Sequence, residues 1–118
     1  MIVEDDDDIR ESLTELLESG EFAPFAVKNG ESALRELRAG YQPSVILLDL
    51  KMPGLNGWDF RREQRNDPRL SKIPVVIMTG LGIPDDGLRA EVGDVIWLPK
   101  PFTPDALRGA LSAALRGS

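Results

Sequence analysis

The sequence predicts a single α/β domain over residues 1–118, in which five parallel strands alternate with five helices around a doubly wound sheet. The first observation behind this prediction is a set of three uninterrupted apolar runs, at residues 45–48, 75–78 and 95–98. A strand that is apolar at every position is covered on both faces, which is typical of parallel sheets. The second observation is that segments with helical periodicity separate these runs, with neither a linker nor an internal repeat between them.

The order of the strands follows from a proline. Residues 1–3 and 22–27 are also largely apolar and predict the first two strands, but the second of these contains Pro24. Proline cannot donate a hydrogen bond to a neighbouring strand, so the second strand is expected at an edge of the sheet. Right-handed crossovers leave few orders that place it there, and 2-1-3-4-5 is the order that we predict.

The helices are predicted from apolar side chains that recur on one face. The side chains expected to face inward are Ile9, Leu13, Leu16 and Leu17 in the first helix, Ala33, Leu34 and Leu37 in the second, and Leu107, Ala110, Leu111, Ala114 and Leu115 in the fifth. A polar third helix is expected near residues 58–66, and a weak fourth near 85–92, interrupted by Gly87. Thr103 and Pro104 suit an N-cap and a first helical position, so they mark the start of the fifth helix.

The composition narrows the class of protein. The chain has 20 acidic and 14 basic residues, a formal net charge of −6, and neither cysteine nor histidine. The acidic balance disfavours direct contact with nucleic acid or with an anionic membrane surface. Without thiols or imidazoles, any chemistry has to use carboxylates, hydroxyls, lysine and a hard cation. No apolar run approaches the roughly 18 residues of a membrane span, so a cytoplasmic location is expected.

Charged or hydroxyl side chains follow four of the predicted strands. Glu4 and Asp5 come after the first strand, Asp49 after the third, Thr79 after the fourth and Lys100 shortly after the fifth. In doubly wound sheets, ligands bind beyond the carboxyl ends of the strands. Each side chain has a structural explanation by itself, as an acidic helix start, a turn residue, a strand-end hydroxyl or a surface lysine. Their placement at one edge favours a functional site.

Three carboxylates that lie close together repel one another, and a hard divalent cation relieves that repulsion. We therefore predict Mg²⁺ as the cofactor, held by Glu4, Asp5 and Asp49. Asp49 is then placed to attack phosphorus as a nucleophile and to form an aspartyl phosphate. Lys100 and the Thr79 hydroxyl are expected to neutralise the other phosphoryl oxygens, because phosphoryl transfer depends mainly on positioning and charge neutralisation.

The sequence resembles the receiver domains of two-component response regulators over essentially its whole length. Four segments in order support the resemblance: VEDDDDIRE at 3–11, LLDLKMPGLNG at 47–57, VIMTG at 76–80 and LPKPF at 98–102. The resemblance implies a flavodoxin-like fold and a histidine kinase or histidine phosphotransfer protein as the phosphoryl donor. It also implies a signalling module that catalyses only its own phosphorylation and dephosphorylation, rather than an enzyme.

The resemblance also implies roles at the metal site. Asp49 corresponds to the phospho-acceptor, Asp5 to a direct metal ligand, and Glu4 to the acid that reaches the metal through water. The backbone carbonyl of Lys51 is expected to face the metal as well. Lys51 and Leu81 lie two residues beyond Asp49 and Thr79. Because neither side chain can act as a base toward water, a long-lived phosphoprotein is expected.

Further roles concern the response to phosphorylation. Thr79 corresponds to the switch hydroxyl and Lys100 to the phosphate-binding lysine, with a cis peptide bond expected between Lys100 and Pro101. Trp97 stands where the family usually has tyrosine or phenylalanine, and it is expected to turn inward when Thr79 moves. The expected readout is a rearranged face formed by the fourth helix, the fifth strand and the fifth helix, which would support a homodimer or partner binding.

Alternative functions make different demands on the same positions. A haloacid-dehalogenase-type phosphatase needs a second carboxylate two residues after its nucleophile, where this chain has Lys51. A flavodoxin-like electron carrier needs a Ser/Thr/Gly-rich phosphate loop after the first strand, where this chain is acidic and would repel phosphate. A pseudo-receiver without phosphorylation stays open, as does the receiver of a hybrid histidine kinase or a phosphorelay.

Overall fold

The computed structural model describes residues 1–20, 22–50, 54, 56–80 and 86–116. The strands are β1 (Ile2–Val3), β2 (Ala26–Val27), β3 (Ile46–Asp49), β4 (Val75–Thr79) and β5 (Ile96–Pro99). The helices are α1 (Asp7–Glu18), α2 (Gly30–Arg38), α3 (Gly57–Asn66), α4 (Asp86–Val92) and α5 (Pro104–Arg116). The alternation of strands and helices is the predicted one.

The sheet has the predicted order, β2-β1-β3-β4-β5, and every pair of neighbouring strands is parallel. The predicted α/β fold class and strand order are therefore confirmed. The second strand is shorter than expected, since only Ala26 and Val27 of residues 22–27 pair with β1. Pro24 precedes the paired residues, in keeping with its missing N–H.

Apolar side chains of the central strands divide between two cores, one on each face of the sheet. In β3, Ile46 and Leu48 belong to the core beneath α2, α3 and α4, whereas Leu47 belongs to the core beneath α1 and α5. Successive side chains of a strand point to opposite faces. Burial on both faces therefore explains why these strands are apolar at every position. No helix in the described ranges is long and apolar enough to cross a membrane.

Some predictions about burial were wrong. Ile9 and Leu115 were expected to face inward, but they are 36% and 38% exposed. Both lie in terminal turns of their helices, where fewer elements surround a side chain. The apolar run at 95–98 was expected to be covered on both faces, yet Ile96 and Trp97 are only half-buried. The reason is that β5 forms an edge of the sheet.

The helix starts show how local side chains set the boundaries. α2 begins at Gly30, because the Asn29 side chain accepts a hydrogen bond from Ser32 N at 2.7 Å and caps the helix. Thr103 caps α5 as predicted, accepting from Ala106 N at 3.0 Å. Gly87 lies inside α4 and does not interrupt it.

Candidate functional site

The carboxyl ends of four strands meet at one edge of the sheet. Glu4 follows β1, Asp49 and Thr79 are the last residues of β3 and β4, and Lys100 follows β5. The strand register aligns these ends, because Val3 pairs with Leu48, Asp49 with Met78, and Thr79 with Pro99. Parallel pairing thus brings together side chains that are up to 96 positions apart in the chain.

Lys100 joins the acidic residues of this edge. Its Nζ lies 3.5 Å from Glu4 Oε1 and 3.6 Å from Asp49 Oδ2. Its backbone N–H donates to the carbonyl oxygen of Thr79 at 2.7 Å, which ties the loop after β5 to the end of β4. The peptide bond between Lys100 and Pro101 is cis, as expected. One ammonium group is therefore shared between two buried carboxyl groups.

The three predicted carboxylates form a compact group. One ligand oxygen from each of Glu4, Asp5 and Asp49 lies within 4.8 Å of the others. Glu4 and Asp49 are buried, at 0% and 6% exposure, whereas Asp5 is exposed. The group is therefore a pocket of two buried carboxyl groups with a third at its opening to solvent.

Glu4 is poorly satisfied in this arrangement. Its Oε2 is the one buried side-chain polar atom without a hydrogen-bond partner among the described residues. The pKa of Glu4 is raised to about 8, mainly by burial and also by its hydrogen bond to Asp49 and the charge of Asp49, with Lys100 partly opposing these effects. A buried carboxyl group with one unsatisfied oxygen beside a second buried acid favours a bound cation. An oxygen-only ligand set of this kind suits Mg²⁺.

Two of the remaining acids in the run 4–8 have structural tasks. The Asp6 side chain caps α1 by accepting from Ile9 N at 3.0 Å. Asp7 pairs with Arg10, whose Nη1 also donates to the carbonyl oxygen of Glu4 at 3.0 Å. Arg10 thereby holds the backbone of the β1–α1 loop in place beneath the acidic group. This role of Arg10 was not predicted, because an arginine in an acidic helix start resembles ordinary surface charge.

Gly57 fixes the end of the loop that follows Asp49. A Cβ atom at Gly57 would lie 2.6 Å from Leu50 Cα and 2.9 Å from the carbonyl oxygen of Asp49, so only glycine fits without movement. Gly57 N donates to the Leu50 carbonyl oxygen at 3.0 Å, and Asn56 caps α3 by accepting from Asp59 N at 2.9 Å. The Asn-Gly pair therefore anchors the backbone next to Asp49.

Of the remaining predicted site residues, Thr79 and Trp97 are among the described residues. Thr79 is buried at 3% exposure. Trp97 is half-buried and packs against the core cluster beneath α2, α3 and α4. A Cβ atom at Gly80 would meet no heavy atom within 4 Å, so sterics do not require glycine beside Thr79. Lys51 and Leu81 lie outside the described residues.

The comparison with protein families agrees with this geometry. The model of the response regulator receiver domain matches residues 1–112. The chain belongs to the response regulator receiver domain family. Members of this family are signalling modules of two-component systems, use Mg²⁺ at an acidic pocket, and interact with histidine kinases or phosphotransfer proteins.

Two of the curated relatives are transcriptional regulatory proteins. The chain is 33% identical to the phosphate regulon transcriptional regulatory protein PhoB of Escherichia coli (strain K12) over 117 residues, which are 98% of this chain and 51% of that protein. It is 37% identical to the transcriptional regulatory protein CpxR homolog of Haemophilus influenzae, covering 100% of this chain and 50% of that protein. The receiver domain thus spans about half the length of these curated relatives.

Solved structures show the same fold. The receiver domain superposes on chemotaxis protein CheY4 of Vibrio cholerae with a TM-score of 0.86 and 26% identity, covering 97% of this chain and 95% of the other. The receiver domain of a signal transduction histidine kinase from Syntrophus aciditrophicus is as similar, with a TM-score of 0.85 and 28% identity over 98% of this chain and 88% of the other. This chain is a receiver domain of the response-regulator type.

Proposed function

We propose that Asp49 accepts a phosphoryl group from a histidine kinase or a histidine phosphotransfer protein. The observation that supports this most directly is the grouping of the buried Asp49 carboxyl with Glu4, Asp5 and the Lys100 ammonium at one sheet edge. A structural ion pair needs one acid and one base, whereas here Lys100 is shared between two buried acids and a third acid, Asp5, lies in the same group. The excess of negative charge suits a cation and a phosphoryl group better than it suits packing alone.

The transfer needs few protein groups. An Asp49 oxygen attacks phosphorus, the O–P bond forms as the P–N bond of the donor phosphohistidine breaks, and the released imidazole regains its proton from solvent. The Lys100 Nζ atom lies 3.6 Å from Asp49 Oδ2, close enough to pair with one oxygen of a phosphoryl group on Asp49. The buried Thr79 hydroxyl can donate a hydrogen bond to a second phosphoryl oxygen. Charge neutralisation of this kind is the main requirement of phosphoryl transfer.

Asp5 and Asp49 would hold Mg²⁺ directly and Glu4 would hold it through water, with the Lys51 carbonyl as a further ligand. When bound there, Mg²⁺ supplies positive charge to the phosphoryl oxygens. The exposure of Asp5 leaves the metal open to solvent and to the incoming donor, whereas buried Glu4 gains the partner that its Oε2 lacks. Beyond its own phosphorylation and dephosphorylation, this receiver domain turns over no substrate in the proposal.

The proposed output is a conformational switch. Phosphorylation draws the Thr79 hydroxyl toward the phosphoryl group, and half-buried Trp97 turns into the space behind it. Thr79 and Trp97 lie on neighbouring strands, because Ile77 pairs with Trp97 and Thr79 with Pro99. The face formed by α4, β5 and α5 would then bind a partner or a second copy of the chain, in a cytoplasmic pathway without direct contact to nucleic acid.

A relay is the second candidate for the output. The similarity to the receiver domain of a histidine kinase favours it, because such a receiver can pass its phosphoryl group on instead of switching a face. Both outputs share the chemistry at Asp49. The acceptor residues expected of an active receiver are all present, which argues against a pseudo-receiver.

The acceptor assignment is tested with acetyl phosphate and Mg²⁺, read by intact-protein mass spectrometry. We expect the mass of one phosphoryl group to be added to the unchanged chain and no addition in Asp49→Asn. Asp8→Asn is the matched control, because Asp8 is an exposed acid of the same run, and it should be phosphorylated normally. A phosphoryl group that survives Asp49→Asn would place the acceptor elsewhere.

A further inference from the structure

A second polar region lies at the amino ends of the strands, on the side of the sheet opposite to the carboxyl ends where Asp49 lies. A cavity of about 450 Å³ opens at the amino ends of β4 and β5. Three cationic side chains line it, Arg61, Arg65 and Lys72, together with one acid, Asp94. The chain as a whole has a net charge of −6, whereas the side chains that line this cavity carry more positive than negative charge.

Arg61 is built into the wall of this cavity. Its side chain is only 5% exposed, and it donates from Nε to the carbonyl oxygen of Val92 at 2.6 Å and from Nη2 to that of Asp94 at 3.3 Å. Its Nη1 donates to Gln64 Oε1 at 2.9 Å, and buried Gln64 in turn donates to the carbonyl oxygen of Leu70 at 3.0 Å. The guanidinium is therefore held in a fixed position by neutral oxygens.

The charge of Arg61 has little direct compensation. Each of the three oxygens that accept its hydrogen bonds is neutral, and the Asp94 carboxylate on the cavity wall is exposed to water, which screens it. The pKa of Arg61 is lowered to about 10, mainly by burial and also by the nearby charge of Arg65, with Asp94 partly opposing these effects. Burying a cation such as Arg61 is costly unless an anion lies close to it.

Gly93 allows Arg65 to reach the cavity. Gly93 has a φ of +73°, and a Cβ atom there would lie 3.0 Å from Arg65 Cζ and 3.3 Å from Arg65 Nε. The Arg65 guanidinium therefore packs across the glycine of the α4–β5 turn, where a side chain would push it away. The turn and α3 together keep two guanidinium groups at the same cavity.

We propose that this cavity binds a small phosphate-bearing anion. Two guanidinium groups and an ammonium group offer the planar, charge-assisted hydrogen bonds that phosphate oxygens accept. Apolar residues on the remaining wall, among them Ile73, Val95 and Ile96, leave room for an organic part larger than phosphate itself. The proposal is independent of phosphorylation at Asp49.

Occupation of the cavity would act on α4. Arg61 is bonded to the carbonyl oxygens of Val92, the last residue of α4, and of Asp94 just beyond it. An anion beside Arg61 would lower the cost of burying its charge, and would thereby stabilise the arrangement in which Arg61 is bonded to the end of the helix. The ligand would therefore reduce local opening at the α4–β5 turn.

The test uses inorganic pyrophosphate as the probe, at constant ionic strength and without Mg²⁺, and follows backbone amides by ¹⁵N NMR. We expect saturable shifts at Ser71, Gly93 and Asp94. Arg65→Gln should weaken binding about tenfold, the loss of one charge-assisted contact. Arg62→Gln is the matched control: it removes the same charge from an exposed residue of the same helix that does not line the cavity, and it should change affinity less than about twofold.

Three results would overturn the proposal. Shifts confined to Asp49, Gly80 and Lys100 would place the anion at the other end of the sheet, and shifts that do not saturate would leave only weak screening. If Arg65→Gln and Arg62→Gln bind pyrophosphate with equal affinity, the cavity is not the binding site. Vesicles containing phosphatidylglycerol form a separate arm, and Arg65-dependent binding to vesicles without binding to pyrophosphate would assign the site to a lipid headgroup instead. The amide spectra report in each case whether the variant is folded.

Discussion

The carboxyl and amino ends of the sheet both bury charged side chains, but they do so under different conditions. At the carboxyl end, Glu4 is fully buried and its Oε2 has no hydrogen-bond partner among the described residues. At the amino end, Arg61 is almost as buried, yet three carbonyl or amide oxygens accept its hydrogen bonds. Glu4 therefore has an oxygen available to a ligand such as a cation, whereas Arg61 also cross-links the backbone of the α4–β5 turn.

A buried charge that binds a ligand and one that supports the scaffold should differ in their effect on the free energy of unfolding. A charge that cross-links the backbone should cost stability when it is removed. A charge that waits for a ligand should cost stability while the ligand is absent, so its removal should be neutral or favourable. The following predictions test the two ends of the sheet against this expectation.

The largest effect on stability is expected from Arg61→Met. The variant leaves the carbonyl oxygens of Val92 and Asp94 without their donor, so the free energy of unfolding should fall by about 3 kcal/mol. Urea denaturation in EDTA measures it. Arg62→Met, on the exposed side of the same helix, should change the free energy by less than about 0.5 kcal/mol. If both variants lose the same amount, Arg61 does not cross-link α3 to the α4–β5 turn.

The importance of Arg61 marks the limit of what the sequence could predict. The uninterrupted apolar runs located β3 and β4, because burial on both faces leaves little freedom in residue type. The same logic located Glu4, Asp49, Thr79 and Lys100, since parallel strands align their ends. Arg61 was read as part of a polar helix, because its burial depends on carbonyl oxygens more than 30 positions away.

Two predictions of burial were wrong for similar reasons. Ile9 follows the helical period, but the period does not say how far neighbouring elements extend over a terminal turn. The run at 95–98 is as apolar as the central strands, so its pattern indicated burial on both faces, although the predicted strand order already placed this strand at an edge, where fewer neighbours cover it. Local pattern thus predicted which elements form, whereas the degree of burial depended on neighbours distant in sequence.

The next effect concerns pH and the carboxyl end. Burial raises the pKa of Glu4 from its ordinary value of 4.5 to about 8. Between these values the folded state retains a proton that the unfolded state has lost, so stability falls as the pH rises. In EDTA, the free energy of unfolding should decrease by on the order of 2 kcal/mol from pH 5 to pH 9.

Two controls assign this slope to Glu4. Glu4→Gln cannot lose this proton, so its stability should not fall over the same range and should exceed that of the unchanged chain at pH 9. Burial lowers the pKa of the Met1 amino group from 8.0 to about 6, so both proteins gain an opposing rise in stability between these values. Saturating Mg²⁺ should also flatten the slope, because a bound cation stabilises the ionised carboxylate. A slope of the same size in Glu4→Gln would show that another group is responsible.

A smaller difference is expected between the two acids in their affinity for Mg²⁺. Asp5→Ala should weaken binding about tenfold more than Glu4→Ala, because a direct ligand loses a bond, whereas water can replace an acid that binds through water. Isothermal titration calorimetry at pH 8 measures both, with Asp8→Ala as a control outside the acidic group. Equal losses in the two variants would contradict the proposed inner and outer roles.

The smallest effect is the one that reports whether the carboxyl end communicates with the rest of the domain. The chain has two tryptophans, and both are partly buried against the same core cluster. Trp58 lies in the first turn of α3, next to the loop after Asp49, so it would respond to phosphorylation directly. Trp58→Phe removes this signal and leaves Trp97 as the single indole.

In the Trp58→Phe background, beryllofluoride with Mg²⁺ imitates the phosphoryl group at Asp49, and we expect a change in Trp97 emission. A phosphoryl group can shift the conformation only by interacting differently with two states, and Trp97 has room for a second state because β5 leaves it half-buried at the sheet edge. Indole is larger than the side chains usual at this position, so we expect Trp97 to rotate inward only in part and its emission to change little. Thr79→Ala should abolish it while beryllofluoride still binds. If emission and the hydrogen exchange of α4 both stay unchanged at saturation, the domain accepts a phosphoryl group without switching, and the relay becomes the better assignment.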